Sequence, residues 1–403
     1  MRIRAAILAA VASFALVGAA RAEDAGTIKL GAAVSLTGKY SSNGAYTRNG
    51  YDLAVKRIND SGGVTVAGKT YKFEILYYDD ESSPARGTQL AERLIQQDGV
   101  KYLLGPYSSG LAEAMAPVTE KYGVPMVEAN GAAASLFRKG YKYLFAVLST
   151  TDQYLKSAVQ LAAARSADPS KLKLAMAFEN DPFSQDVREG VTADAKHFGM
   201  KIVVDDKLPP ELNDMSATLT KVKLLKPDLL IVSGHEKGAA TAIRQLADQR
   251  VNVPLLAMTH CDSAQIAEKY GKSAEYTLCA AQWAPSLAYS DALFGKASDY
   301  AALYEKTYHE PAPYQAAESS AAVQVFADAF TRAGSLDPKA VRDALSKTDI
   351  KSFYGPIKFD ETGKNIAKPT ILYQVQDGKY VVVYPEQWAE AKLRAPTPDW
   401  DKR

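Results

Sequence analysis

The chain has 403 residues, 47% of them hydrophobic and 23% charged, with a formal net charge of +2. This composition excludes wholesale disorder and collagen-like repeats, and the length provides for two or three lobes, each with its own core. A charge so close to zero supplies no global field for nucleic acid or an anionic membrane.

The first residues read as an export signal. Arg2 and Arg4 precede an apolar run, Ala5–Val17, broken only by Ser13, and Ala20-Arg21-Ala22 is an A-x-A site. Basic start, short apolar core and small-residue site predict a secretory signal over residues 1–22, cleaved after Ala22. The run is too short to span a bilayer comfortably, and no later run reaches ~18 apolar residues. A soluble, periplasmic protein is therefore expected. No Cys follows the cleavage site to take a lipid anchor. Arg2, Arg4 and Arg21 leave with the signal, which holds no acid, so the slight basicity belongs to the signal and not to the working protein.

The body alternates strand and helix. Gly26–Ser35, with Ile28, Leu30 and Val34, reads as a strand. Ala45–Asn59 is a helix with Tyr51, Leu53, Val55 and Ile58 as apolar positions, ended by Gly62-Gly63. Tyr71–Tyr78 is a strand, and Pro84 opens a helix whose apolar face carries Leu90, Leu94 and Ile95. Val100–Leu104, Leu111–Tyr122 and Pro125–Val127 continue as strand, helix and strand. This rhythm implies a parallel sheet with helices on both faces.

The rhythm restarts at Lys173–Phe178. Strands Lys201–Val204, Asp228–Val232, Leu255–Met258 and Tyr276–Ala281 alternate with helices Pro182–Phe198, Asp214–Leu225, Ala239–Gln249 and Ala264–Tyr270. Two more helices, Tyr314–Arg332 and Pro338–Ser346, precede short strands Gly355–Phe359, Thr370–Gln376 and Lys379–Tyr384. Asp377-Gly378 between the last two is a type I′ hairpin signal. The fold class is α/β, with two doubly wound units. Ligands in such sheets bind beyond the strand C-termini, so the residues just after strands are the informative ones.

Cys261 and Cys279 are the two cysteines. In an oxidising compartment they can pair, a bridge worth roughly 3 kcal/mol for so short a loop; the alternative is two free thiols, with Cys279 in a strand.

Catalytic signatures fall short. Gly31 and Gly38 are separated by six residues where a phosphate loop has four, and Tyr40 stands where its Ser or Thr belongs. His235-Glu236-Lys237-Gly238-Ala239 begins like a zinc-protease helix but lacks the second His. Asp79-Asp80-Glu81 fits a solvated turn before a helix better than a cation site. The four histidines show no metal-ligand spacing. No catalytic residue, metal or cofactor is expected, and no enzyme.

Several segments, each weak alone, fall together in order and spacing. They are Ile28–Ser42 with its S-L-T-G, Asn49–Ala54, Ile58-Asn59 with Gly62-Gly63, and Asp79–Pro84. Gly105-Pro106-Tyr107-Ser108-Ser109-Gly110, Ala116–Val118 and Tyr122–Pro125 follow. Asp181–Ser184, Lys226–Asp228, Phe353–Pro356 and Phe359–Gly363 complete the set. With them the chain, from about Thr27 to Tyr384, resembles type I periplasmic solute-binding proteins of ABC importers, in the branched-chain amino-acid (leucine/isoleucine/valine) group.

The resemblance implies two doubly wound parallel-sheet lobes joined by three hinge crossings. Lobe 1 would comprise 27–147 and 284–352, and lobe 2 would comprise 148–283 and 353–387. The crossings would fall near Val147–Thr150, Gln282–Pro285 and Ser352–Gly355. One small solute would be captured by hinge closure and delivered to ABC permease subunits, with no nucleic-acid partner and a monomeric chain.

It also places a pocket. Ser109, with Ser108 beside it, would offer a hydroxyl and amides at a helix N-terminus to a ligand carboxylate, a role compatible with plain capping. Tyr107 would line the wall. In the loop Glu128–Ser135, Asn130, Gly131 and Ala132 stand where relatives supply a carbonyl and a Thr hydroxyl; Asn130 can replace the Thr or merely serve a turn. Phe183 and His235 match aromatic or polar contacts of lobe 2, with core packing and a surface loop as their ordinary roles. Thr259-His260 stand where amino-acid binders carry a Glu for the ammonium group, and no acid follows until Asp262. Either Asp262 or Glu236 reaches in, or the ligand is not a free α-amino acid, since a buried ammonium needs a carboxylate. Trp283, at a crossing, would wall the ligand or pack the hinge. An amino acid is the default solute and a carboxylic acid, aromatic included, the alternative. An exported enzyme or a sensory module ranks below both.

Overall fold

A computed structural model describes residues 24–403, so the export signal read over 1–22 lies outside the described residues. The first part of the chain runs β1 (Asp24–Val34), α1 (Ser41–Asp60), β2 (Val64–Val66), β3 (Lys69–Asp79), α2 (Pro84–Gln96), β4 (Leu103–Leu104), α3 (Ser109–Tyr122), β5 (Met126–Glu128) and β6 (Leu144–Ala146). These strands form one sheet in the order β2-β3-β1-β4-β5-β6. Leu30, Ala32 and Val34 of β1 are wholly buried, as befits a central parallel strand covered on both faces. The helices start where the chemistry allows. Ser83 caps α2 by accepting from Arg86 N at 3.4 Å, and Pro84 takes the first helical position. Gly123, in the left-handed region at φ +65°, ends α3.

The second part runs α4 (Lys156–Ala164), β7 (Lys173–Glu179), α5 (Pro182–His197), β8 (Lys201–Leu208), α6 (Ser216–Leu225), β9 (Leu229–Ser233), α7 (Glu236–Asp248), β10 (Leu255–Thr259), α8 (Ile266–Tyr270) and β11 (Leu278–Ala281). The chain then returns to the first sheet's side through β12 (Ser290–Asp291), β13 (Gly295–Lys296), α9 (Ala297–Tyr308), α10 (Tyr314–Ala333) and α11 (Pro338–Leu345). Helix α10 packs along α1, where Gly50 gives the room: a Cβ there would collide with the Ala316 carbonyl. A small ladder, β14 (Asp349–Ser352) with β15 (Gly355–Lys358), leads to β16 (Ile371–Gln376) and β17 (Lys379–Tyr384). The second sheet is β17-β16-β11-β10-β9-β7-β8.

Both sheets are mixed where a parallel rhythm was expected. Strand β2 runs antiparallel to β3, and β16 and β17 are antiparallel additions on β11. Tight turns build these edges. Ala67-Gly68 (φ 49° and 80°) and Asp377-Gly378 (φ 53° and 75°) both take the left-handed backbone of a type I′ hairpin. The sequence reading also passes over β2, β6, α4 and α9. The first two are three-residue strands, and the two helices lie in stretches it left unassigned.

The chain passes three times between the lobes, and the passages lie side by side. Gln282 joins them: its Oε1 accepts from Ser149 N (3.1 Å) and the Tyr354 hydroxyl (3.3 Å), and its Nε2 donates to Ser149 O (2.9 Å). Lys368 Nζ donates to the Gln282 carbonyl at 2.5 Å. Cys261 and Cys279 are bridged, with Cα atoms 5.7 Å apart, which settles the open question of the thiols. Among the described residues no helix is long and apolar enough to cross a membrane.

Candidate functional site between the lobes

Loops at the strand C-termini of both sheets converge on one small cavity of ≈ 10 Å³. From the first sheet come Tyr107 and Ser108, between β4 and α3, Ser109, the first residue of α3, and Asn130, after β5. Phe183 at the start of α5, His235 after β9 and His260 after β10 face them. Tyr154, Tyr314, Gln315 and Glu318 close the hinge side.

Tyr107 reaches across the cleft. Its hydroxyl lies 3.1 Å from His235 Nδ1 and 3.0 Å from His260 Nε2. The protons follow from the partners. His260 Nδ1 sits 2.7 Å from the Gly234 carbonyl, so that nitrogen carries the hydrogen. Burial, then the neighbouring His235, pushes the His260 pKa down to about 3. The ring is thus neutral, its Nε2 accepts, and Tyr107 donates to it. Tyr107 oxygen in turn accepts from His235 Nδ1–H. His235 Nε2 lies 3.5 Å from Asp181 Oδ1; burial opposes its charge, but Asp181 and Glu179 outweigh it and raise the pKa. Tyr40 and Phe183 pack on this group, their ring centroids 4.8 and 5.6 Å from His235. His260 itself is held at φ +58°, a left-handed backbone that costs a non-glycine residue roughly 1 kcal/mol or more.

Below the cavity, the Glu128 carboxylate Oε1 accepts from Asn130 N and Gly131 N, both at 2.8 Å, and fixes that loop. Burial pushes the Glu128 pKa up to about 7. Ser109 Oγ accepts from Ala133 N at 3.0 Å. Asn130 Nδ2 donates to Ser319 Oγ at 3.0 Å. On the hinge side, burial holds Glu318 well above the carboxylate range and brings Lys368 down to about 7.

Seven of the residues singled out from sequence line this cavity, and three do not. Gly131 turns its amide down to Glu128. Thr259 points its hydroxyl back at the Gly234 carbonyl, 2.8 Å away. Trp283 is buried in the hinge among Tyr300 and Phe353, its indole N–H on the Phe353 carbonyl at 3.1 Å. Neither of the acids considered as replacements lines it: Asp262 faces a separate cavity beside Glu268 and Glu310, and Glu236 faces another at the rim. Sequence reading missed Tyr154, Tyr314, Gln315 and Glu318. The signal available was Pro313 just before α10, which starts that helix at Tyr314 and turns its first residues inward.

Comparison with known proteins agrees with this architecture. The family model described as "Periplasmic binding protein" matches residues 27–379. The Leu/Ile/Val-binding protein BraC3 of Rhizobium johnstonii is 26% identical over 92% of this chain and 96% of its own. The solved structure of the branched-chain amino acid transporter substrate-binding protein LivJ of Streptococcus pneumoniae, in complex with isoleucine, superposes with a TM-score of 0.77 at 22% identity, covering 92% of this chain and 100% of that one. A solute-binding protein of an ABC transporter from Rhodopseudomonas palustris BisB5, in complex with 3,4-dihydroxybenzoic acid, gives 0.77 at 22% identity, covering 94% and 99%. With a family match over most of its length and two lobes closing on one cavity, the chain belongs to the periplasmic binding proteins.

Proposed function

We propose that this protein is the substrate-binding component of an ABC importer, which captures one small carboxylate-bearing solute between its lobes and presents the closed form to the permease. The observation that carries this is the N-terminus of α3, with Ser108 and Ser109, opening into a cavity walled by both lobes. Free amides and the helix dipole there favour an anion. At ≈ 10 Å³ the cavity is far below the roughly 300–1,000 Å³ of ligand pockets, so the solute enters an opened form and the lobes close over it. Export through the signal over residues 1–22 and action as a monomer belong to the same reading.

The relatives' names and the isoleucine complex support an amino acid as solute. A second reading, an aromatic carboxylate, has its own support. The wall is built of Tyr107, Phe183, Tyr154 and two imidazoles, and its one carboxyl, Glu318, is raised in pKa by burial and already takes the Tyr354 hydroxyl at 3.0 Å. A thermal-shift screen of branched-chain amino acids against benzoates and aliphatic acids separates them. Stabilisation by amino acids alone removes the aromatic reading; stabilisation by benzoates alone removes the default; no shift with any small acid removes the carboxylate.

A further inference from the structure

Behind His235, on the face turned away from the solute cavity, sits a group that solute binding does not use. Glu179 ends β7, Asp181 caps α5 and His235 caps α7, and one donor atom from each lies within 4.8 Å of the others. Glu179 is 1% exposed. Its Oε1, and Oδ2 of Asp181, are buried without a hydrogen-bond partner, a state that needs a reason in a folded protein. Glycines keep space for the first: a Cβ at Gly234 or Gly238 would collide with Glu179 Oε1. The group opens on a rim cavity also lined by Asn43 of the other lobe, whose Oδ1 is likewise buried and unpartnered. Two lysines also line that cavity, each with a partner of its own there: Lys237 with Glu211 at 3.1 Å and Lys39 over the Tyr40 ring at 4.8 Å.

We propose that Glu179, Asp181 and His235 form a binding site for a divalent transition-metal ion of the Zn²⁺ class. Bonds of ~2.0–2.1 Å in a tetrahedral set separate donor atoms by roughly 3.4 Å, and His235 Nε2 and Asp181 Oδ1 are 3.5 Å apart. One imidazole with two carboxylates is a donor set suited to such ions. A proton on Nε2 leaves two carboxylates facing one imidazolium. A divalent ion in its place balances them, with release of that proton. Nδ1–H still donates to the Tyr107 oxygen, the outer partner that orients a metal-bound imidazole. Metal and solute therefore share His235, and each changes the affinity of the other by the same factor.

The test uses the full exported chain, stripped with chelator and titrated calorimetrically with Zn²⁺ alone, then with Co²⁺ as a visible-absorption probe. The expected result is about one equivalent bound, tetrahedral Co²⁺ bands, and binding at least about tenfold weaker in Glu179→Gln and in Asp181→Asn. The amide of Asp181→Asn still caps α5, and circular dichroism checks both variants. His309→Ala, a histidine outside the group, should bind as the parent does. No binding at about 100 µM Zn²⁺, or unchanged binding in both variants, overturns the proposal. Neither result touches the solute reading, which the thermal-shift screen tests without metal.

Discussion

Tyr107 is the residue on which closure turns, because one hydroxyl from the first lobe serves two imidazoles of the second. Its removal is costly in a defined way. In Tyr107→Phe, His260 Nε2 loses its donor and His235 Nδ1–H its acceptor, and both stay buried. A buried unsatisfied group costs about 1–3 kcal/mol. Solute affinity should fall by about tenfold or more by titration calorimetry, and the ligand-free radius of gyration by X-ray scattering should rise. Unchanged affinity and radius would show that the contact does not hold the lobes together. At this scale the sequence was only partly legible. Tyr107, Ser109, His235 and His260 could be placed because each follows a strand in an α/β unit. Thr259 and Trp283 sit at equally suggestive positions, but where a side chain turns depends on neighbours far along the chain: the Gly234 carbonyl for one, Phe353 and Tyr300 for the other. The Glu179–Asp181–His235 group shows no histidine spacing for the same reason. Its members end one strand and cap two helices, and only the sheet brings them together.

Among the elements, strands β10 and β11 are parallel neighbours, paired from Ala257–Leu278 to Thr259–Ala280, and the disulfide joins Cys261, just beyond β10, to Cys279 within β11. The bridge therefore holds the loop that carries His260. Reduction releases unfolded-chain entropy worth roughly 3 kcal/mol for a loop of this size. The melting temperature should drop by several degrees in reductant, with two thiols titrating after denaturation. An unchanged melting temperature with two thiols present would mean that the packing of β10 on β11 holds this loop unaided. Helix and strand existence was readable from periodicity and from Pro and Gly punctuation. The antiparallel edges were readable only where a turn signal stood, as at Asp377-Gly378, and the three-residue strand β6 owes its place to the register of β5.

For the molecule as a whole, two buried groups set opposing slopes of stability against pH. Glu128 keeps its proton in the folded state up to about pH 7, whereas its ordinary value is 4.5. Its contribution is therefore full below pH 4.5 and declines as pH rises through 7. Lys368 is depressed from 10.5 to about 7, so its contribution is full above 10.5 and is lost as pH falls to 7. Together they place a local minimum of stability near neutrality. Glu128→Gln stays neutral and still accepts from Asn130 N and Gly131 N, so the decline between pH 5 and 7 should flatten while the rise above 7 persists. Melting temperatures from pH 5 to 9 check this, and parallel profiles for parent and variant would refute it. The two-lobe plan was legible from the repeated strand–helix rhythm together with the family motifs. The hinge network of Gln282, Lys368 and Glu318 was not, since its members are separated by 36 to 86 residues.

The bridged cysteines have a practical consequence. Both cysteines of the chain are spent in that bond, so the protein offers no competing nucleophilic sulphur. Asn43 and Glu236 touch across the rim at 3.4 Å, one from each lobe. A lone thiol engineered beside that seam would take an environment-sensitive dye at one defined position, and its emission would follow the opening and closing of the jaws. The scaffold is already suited to become an optical sensor for whatever solute it carries.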